Sequence, residues 1–320
     1  MRQPSRFKCY FHLVHIKHIH FNLIRNMKMK KSILSALILL FSTLSLAEVK
    51  VVTTTTVIYD LVKEIGKEKV KVDYICRGDQ DPHFLEILPS YMLKLRNANL
   101  VFKIGLGLEI WLQQIIDGSR NDKLKLIDLS TDIEKKDVPT GKIDASQGDI
   151  HPNGNPHYWL DPENAKIMAR NIFEVLAVES PQDENYFKKN LNDYISKLDA
   201  KIGEWKSKLA SSQGRSIITF HKSWIYFADR FGIRVVGQVE PKPGIPPTPS
   251  HNAELISGIK KSEIKIILME NYYSDNAPNQ LARSTGAKVI KVANSVYGQP
   301  GINSYIQMMD SIINSLSNNL

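Results

Sequence analysis

Residues 180–209 constrain this chain most. Apolar side chains recur there as Phe187, Leu191, Tyr194, Ile195, Leu198, Ile202, Trp205 and Leu209, with no turn signal between them. Steps of three and four residues put them on one face of a single helix. Ser180-Pro181-Gln182-Asp183 opens it with a capping hydroxyl, a proline at the first helical position and an acid three residues after the cap. Ser211-Ser212-Gln213-Gly214 closes it. Neither neighbouring segment continues the stripe, which argues against a coiled coil. A helix this long, with strand and helix patterns alternating on both sides, reads as a rigid link between two lobes.

Ahead of the helix, residues 49–52, 70–75 and 99–104 read as strands and 89–97 as a short helix. A further helical pattern opens at Asp161-Pro162-Glu163. Beyond the long helix, 216–220, 234–239, 263–269 and 288–292 are strand-like. Helical patterns fall at 224–231, 252–260, 279–285 and 304–316. Such alternation builds βαβ units and mainly parallel sheets flanked by helices. The expected α/β architecture is therefore two similar lobes, 48–179 and 213–320, joined by the rigid helix at 180–212. Ligands of such sheets bind beyond the carboxyl ends of the strands, here in the cleft between the lobes. No internal sequence repeat stands out.

The formal charge of +9 misleads about partners. Residues 1–47 hold eight Lys and Arg and no acid, so the remainder carries 34 basic residues against 33 acidic ones. That balance excludes a nucleic-acid partner or an anionic-membrane surface as an electrostatic inference. Lys28, Lys30 and Lys31 precede an apolar run over 33–46, and Ser45-Leu46-Ala47 offers small residues for cleavage after Ala47. This is the pattern of a secretory signal peptide with a start at Met27, and the run is shorter than the ~20 residues of a membrane span. Cys76 is the one cysteine after the leader, so no internal disulfide is expected. With no cysteine at the cleavage point, a soluble, monomeric periplasmic protein is expected.

Five histidines follow the leader: His83, His151, His157, His221 and His251. His157 lies in Asn155-Pro156-His157-Tyr158-Trp159-Leu160-Asp161-Pro162, where two prolines hold the chain extended. His83 follows the loop Gly78-Asp79-Gln80-Asp81-Pro82, and His221 directly follows the strand ending at Phe220. Three histidines at loop and strand ends fit a metal site. Each by itself equally fits a buried imidazole satisfied by a carbonyl. Their separation in sequence leaves that choice open.

The pattern as a whole resembles the metal-binding subunits of bacterial ABC importers for zinc and manganese, the ZnuA/TroA-like solute-binding proteins of cluster A-I. Asp81-Pro82-His83 with Leu88-Pro89-Ser90, and Asn97-Ala98-Asn99-Leu100-Val101, resemble its first ligand motif and the strand after it. The His157 stretch is close to the family's hallmark. Phe220-His221-Lys222-Ser223-Trp224 with Tyr226 resembles the third motif, and 240–248 a proline-rich loop seen in many members. The resemblance covers the chain after the leader. It implies a protein that captures metal without catalysis, with His83, His157 and His221 as ligands. It also implies an inner-membrane permease and a cytoplasmic ATPase as partners.

One position departs from the pattern. The family's fourth ligand is often an Asp after a late strand, and here the matching residue is Asn294. Asn294, Glu270 or water would complete the shell. Three imidazoles without an assured carboxylate favour Zn2+ as cargo, with Mn2+ as the alternative. A zinc hydrolase with a three-histidine site is the rival from another class, but no hydrolase motif accompanies the histidines. The loop preceding His157 contains only His151, which is expected to be solvated. For His251 a capping or surface role is expected.

Overall fold

The computed structural model describes residues 48–141, 151–242 and 244–320. The expected signal peptide, within residues 1–47, and residues 142–150 of the loop before His151 lie outside the described residues. Residues Glu48–Leu320 form one compact unit.

Two four-stranded parallel sheets organise it. The first contains β1 (Val49–Thr53), β2 (Val70–Tyr74), β3 (Leu100–Lys103) and β4 (Lys125–Asp128), in the order β2-β1-β3-β4. The second contains β5 (Ser216–Thr219), β6 (Arg234–Gln238), β7 (Ile266–Glu270) and β8 (Lys288–Val292), in the order β6-β5-β7-β8. Inner strands are buried on both faces and therefore apolar, as in β3 and β7. The edge strands β2 and β4 are partly exposed. That explains why β4 gives little signal in sequence: Lys125-Leu126-Ile127-Asp128 is short and half-solvated.

Helices α1 (Thr56–Gly66), α2 (Pro89–Arg96), α3 (Leu112–Ser119) and α4 (Pro162–Glu179) precede the long helix α5 (Glu184–Lys208). After it come α6 (Ile225–Phe231), α7 (Pro249–Lys261), α8 (Asn276–Thr285) and α9 (Tyr305–Ser317). The stripe on α5 is the face that packs, with Phe187, Leu191, Tyr194, Leu198, Ile202 and Trp205 buried. It lies against α1 and α4 of the first half and α9 of the second. Asn190 donates to the Ile65 carbonyl at 3.0 Å, and further along the Trp205 indole donates to Asp310 at 2.8 Å. One rigid rod thus backs both halves. Truncating Leu198, which is fully buried, to alanine removes about 2–5 kcal/mol. At its start, Pro181–Asp183 is a 3-10 turn. The Ser180 hydroxyl donates to the Asp183 carboxylate at 2.8 Å instead of accepting from a backbone amide.

The halves are fastened directly as well. Thr56 donates to the Val296 carbonyl (2.6 Å), and the Tyr305 amide donates to Asp60 (2.8 Å). Gly78, after β2, and Gly298, after β8, cross in backbone contact. A Cβ on Gly78 would stand 2.0 Å from the Val296 oxygen, and one on Gly298 would stand 2.7 Å from the Gly78 oxygen. Only glycine lets the two chains pass this closely.

Candidate metal centre

The carboxyl ends of β2 and β5 and the stretch after residue 151 converge between the two sheets. His83, His157 and His221 are buried there, at 2 %, 1 % and 3 % exposure, and can each offer a nitrogen within 4.8 Å of the others. Their ring centres stand 5.1 Å (83–157), 5.0 Å (83–221) and 5.3 Å (157–221) apart. Imidazoles bound to one tetrahedral zinc at ~2.0–2.1 Å have ring centres about 5 Å apart, so the three rings fit a shared ion.

Each ring is aimed by an acceptor on its Nδ1. In Asp81-Pro82-His83, Asp81 Oδ1 accepts from the His83 amide at 3.0 Å and lies 2.6 Å from Nδ1. Asn155-Pro156-His157 repeats the device: Asn155 Oδ1 accepts from the His157 amide (3.0 Å) and meets Nδ1 at 2.9 Å. The orientation of that amide is set because Asn155 Nδ2 donates to the Lys222 carbonyl at 2.7 Å. His221 Nδ1 meets Glu240 Oε2 at 2.7 Å. With Nδ1 donating, the free lone pair of each imidazole is on Nε2. The Nε2 atoms of His83 and His157 are buried without a protein partner, an arrangement that costs free energy unless something else binds there.

The electrostatics favour a dication. Burial, reinforced by the neighbouring imidazoles, pushes the His157 pKa well below the usual histidine range. Burial also opposes a charge on His221, yet Glu240 and Glu270 outweigh it and hold its pKa above the ordinary value. Asp81 is pushed up by burial, but its hydrogen bond and proximity to His83 leave it below the usual carboxylate range. Asp81 and Glu240 thus place two carboxylates directly behind the His83 and His221 rings. These orienting residues have a local sequence signal, an acid or amide two residues before the histidine of a Pro-His pair, only for Asp81 and Asn155. Glu240 is brought to His221 by the sheet.

The stretch around His157 is used at almost every position. Tyr158 donates to the Ile104 carbonyl (2.7 Å), and the Trp159 indole donates to the Asn294 carbonyl (2.8 Å). Asp161 caps α4 by accepting from the Glu163 amide, and takes two bonds from Arg230 at 2.7 and 2.9 Å. Pro162 begins the helix.

The other candidates are placed differently. Asn294 is fully buried; its Nδ2 donates to the Tyr272 hydroxyl at 3.0 Å, and its Oδ1 has no partner. Glu270 Oε1 accepts from Ser223 (2.6 Å) and the Trp224 indole (2.9 Å), while Oε2 is buried and unpartnered. Burial raises the Glu270 pKa to about 7, and its carboxylate is outside the three-histidine group. His151 is not solvated as the polar loop leads one to expect. It is 9 % exposed, with its ring 5.3 Å from that of His83 and 6.3 Å from that of His157. Burial lowers its pKa to about 3. His251 lies in the first turn of α7, where its amide donates to the capping Thr248 hydroxyl and its Nε2 meets the Gln238 carbonyl.

Comparison with known proteins identifies the family and the fold. The family model described as zinc-uptake complex component A periplasmic (ZnuA) matches residues 51–319. A manganese ABC transporter substrate-binding lipoprotein, PsaA of Streptococcus mitis, is 26% identical over 285 residues, covering 85% of this chain and 89% of its own. The zinc-binding lipoprotein AdcA of Streptococcus pneumoniae serotype 4 is 26% identical over 244 residues, 75% of this chain and 49% of its own. The iron-binding protein YfeA of Yersinia pestis is 26% identical over 285 residues, 84% and 85% of the two chains. A crystal structure of ZnuA shares the fold with a TM-score of 0.73 at 23% identity, over 85% of this chain and 98% of that one. The Mn-bound periplasmic metal binding protein of Candidatus Liberibacter asiaticus does so at 0.69 and 23% identity, over 84% and 98%. Three relatives named for three different metals leave the family constant and the cargo open. With its matched length and its two-sheet fold, this chain belongs to the ZnuA family, the substrate-binding components of metal ABC importers.

Proposed function

We propose that this chain captures Zn2+ in the periplasm and hands it to an inner-membrane permease driven by a cytoplasmic ATPase. The ion is held between 48–179 and 213–320, with 180–212 as the rigid backing. The observation that carries the reading is the convergence of three buried imidazoles, each aimed through Nδ1 by Asp81, Asn155 or Glu240. A nitrogen-rich site favours Zn2+ over Mn2+ and Fe2+ in the Irving–Williams order. Capture requires no chemistry on the cargo: the residues bind, orient and exclude water.

The test is elemental analysis and competition titration of the purified, untagged protein with Zn2+, Mn2+ and Fe2+, beside His157→Ala. One tightly bound zinc per chain, lost in the variant, is the expected result. No stoichiometric metal in the wild type sinks the proposal. A second reading, Mn2+ as cargo, is favoured by the unpartnered Oε2 of Glu270, a hard oxygen near the imidazoles. Tight manganese with little preference for zinc, abolished by Glu270→Gln, would select it.

A further inference from the structure

We infer that His151 is a fourth imidazole of the metal site, closing on the ion held by His83, His157 and His221. The inference rests on the metal-capture reading above and names a ligand from the loop before His157 in place of Asn294 or Glu270.

Three observations carry it. First, His151 is buried at 9 % exposure, and the Gly107 backbone beside Nδ1 is the one polar group its ring meets. That leaves Nε2 buried without a partner, which buried polar groups ordinarily have, and a metal ion can take it. Second, the spacing is nearly right. The His83–His151 ring separation of 5.3 Å lies within the range of the other three histidines. The His151–His157 separation is 6.3 Å against 5.3 Å for His157–His221, so the fourth ring stands at the margin of the shell and must move inward to ligate.

Third, the backbone already delivers the residue. The His151 carbonyl accepts from the Gly154 amide (3.1 Å), and the Asn155 amide donates to the Lys136 carbonyl (2.8 Å). Gly154 has φ +109°, and the Lys136 oxygen lies 3.1 Å from where its Cβ would stand, so the turn is built for glycine. One tight turn therefore presents His151 at its start and His157 beyond its end to the same cleft.

The competing ligands are poorer. Asn294 offers a neutral amide oxygen and is tethered to Tyr272. Glu270, like His151, stands outside the three-histidine group, but moving it strains its bonds to Ser223 and Trp224. Moving the His151 ring disturbs only its contact with the Gly107 backbone.

The experiment counts ligating nitrogens. Protein labelled with 15N-histidine is loaded with 113Cd2+, and one-bond metal–nitrogen couplings are recorded for wild type and His151→Gln. Zinc affinity of both is measured by competition, and thermal melts without metal check that the variant folds. Four coupled ring nitrogens in the wild type and three in the variant are expected, with zinc affinity about tenfold or more weaker. The same count in both proteins overturns the inference, even where capture by three histidines stands. No coupling in either protein, together with no bound zinc, overturns the capture reading and this inference with it.

Discussion

The two sheets have the same strand order, and their first strands end in the same way. The Thr53 hydroxyl donates to the Thr55 carbonyl and the Thr219 hydroxyl to the His221 carbonyl, both at 2.9 Å. Beyond these threonines, the Ile75 amide donates to Thr53 and the Val239 amide to Thr219; Cys76 donates to Thr54 and Glu240 to Phe220. Thr54 and Phe220 donate in turn to Phe102 and Leu268. Thr55 thus occupies the place of His221, Cys76 that of Glu240 and, two residues past Phe102 and Leu268, Ile104 that of Glu270. The backbone is repeated; the chemistry is not. In the second half, the His221 imidazole and its orienting carboxylate stand at the ends of neighbouring strands, so sheet pairing itself brings them together. In the first half those places are inert, and each imidazole is aimed from two residues earlier, across a proline. One site therefore uses two ways of fixing a ring, one through the sheet and one local.

This contrast can be broken by experiment. The largest effect is expected from His221→Ala, which weakens zinc binding by about three orders of magnitude, while Thr55→Ala at the matching place leaves affinity within about twofold. Titrations of both variants check this, and comparable losses would sink the division between the halves. Next comes Gly78→Ala. Forcing a methyl group against the Val296 carbonyl costs about 3 kcal/mol of stability, read from denaturant unfolding without metal. A variant as stable as wild type would show that the crossing is slack.

Glu240→Gln should lower zinc affinity roughly 10- to 100-fold, whereas Cys76→Ala should leave it unchanged. Equal affinities for Glu240→Gln and wild type would mean that the sheet-borne carboxylate does not orient its ring. The smallest effect belongs to Asp60, whose pKa burial raises from 3.8 to about 6. Its ionised form is disfavoured in the fold, so stability declines as pH climbs from near 4 to near 6 and stays lower above that window. Asp60→Asn is therefore expected to be more stable than wild type by about 1–2 kcal/mol at pH 7.5, with the difference fading toward pH 4. Urea unfolding at the two pH values decides it.

Much of this was readable in the residues. The α5 stripe matched its buried face because one side of a long helix must be apolar. The inner strands were visible because both of their faces are covered. β4 and α3 were missed: one is a half-exposed edge and the other a short helix just ahead of it in the chain. The expected convergence of His83, His157 and His221 is present. His151 was misjudged because a polar loop says nothing about where one of its residues turns. Glu240 was invisible as an orienting group because its partner is nineteen positions away and meets it only through strand pairing. The repeated backbone was hidden for a related reason: paired positions such as Thr55 and His221 share a place and not a side chain.

The segments that carry the histidines are also tied to one another. Asn155 holds the Lys222 carbonyl and receives the Tyr226 hydroxyl, Trp159 holds the loop of Asn294, and that loop crosses the His83 loop at Gly78 and Gly298. On the proposed capture reading, such a ring would give a held ion a long residence time, because no single histidine-bearing segment can lift away alone. Differences in affinity between metals then lie mainly in their off-rates. On the same reading, unloading on a useful timescale requires a docking partner that spends part of its own binding energy prising the ring apart.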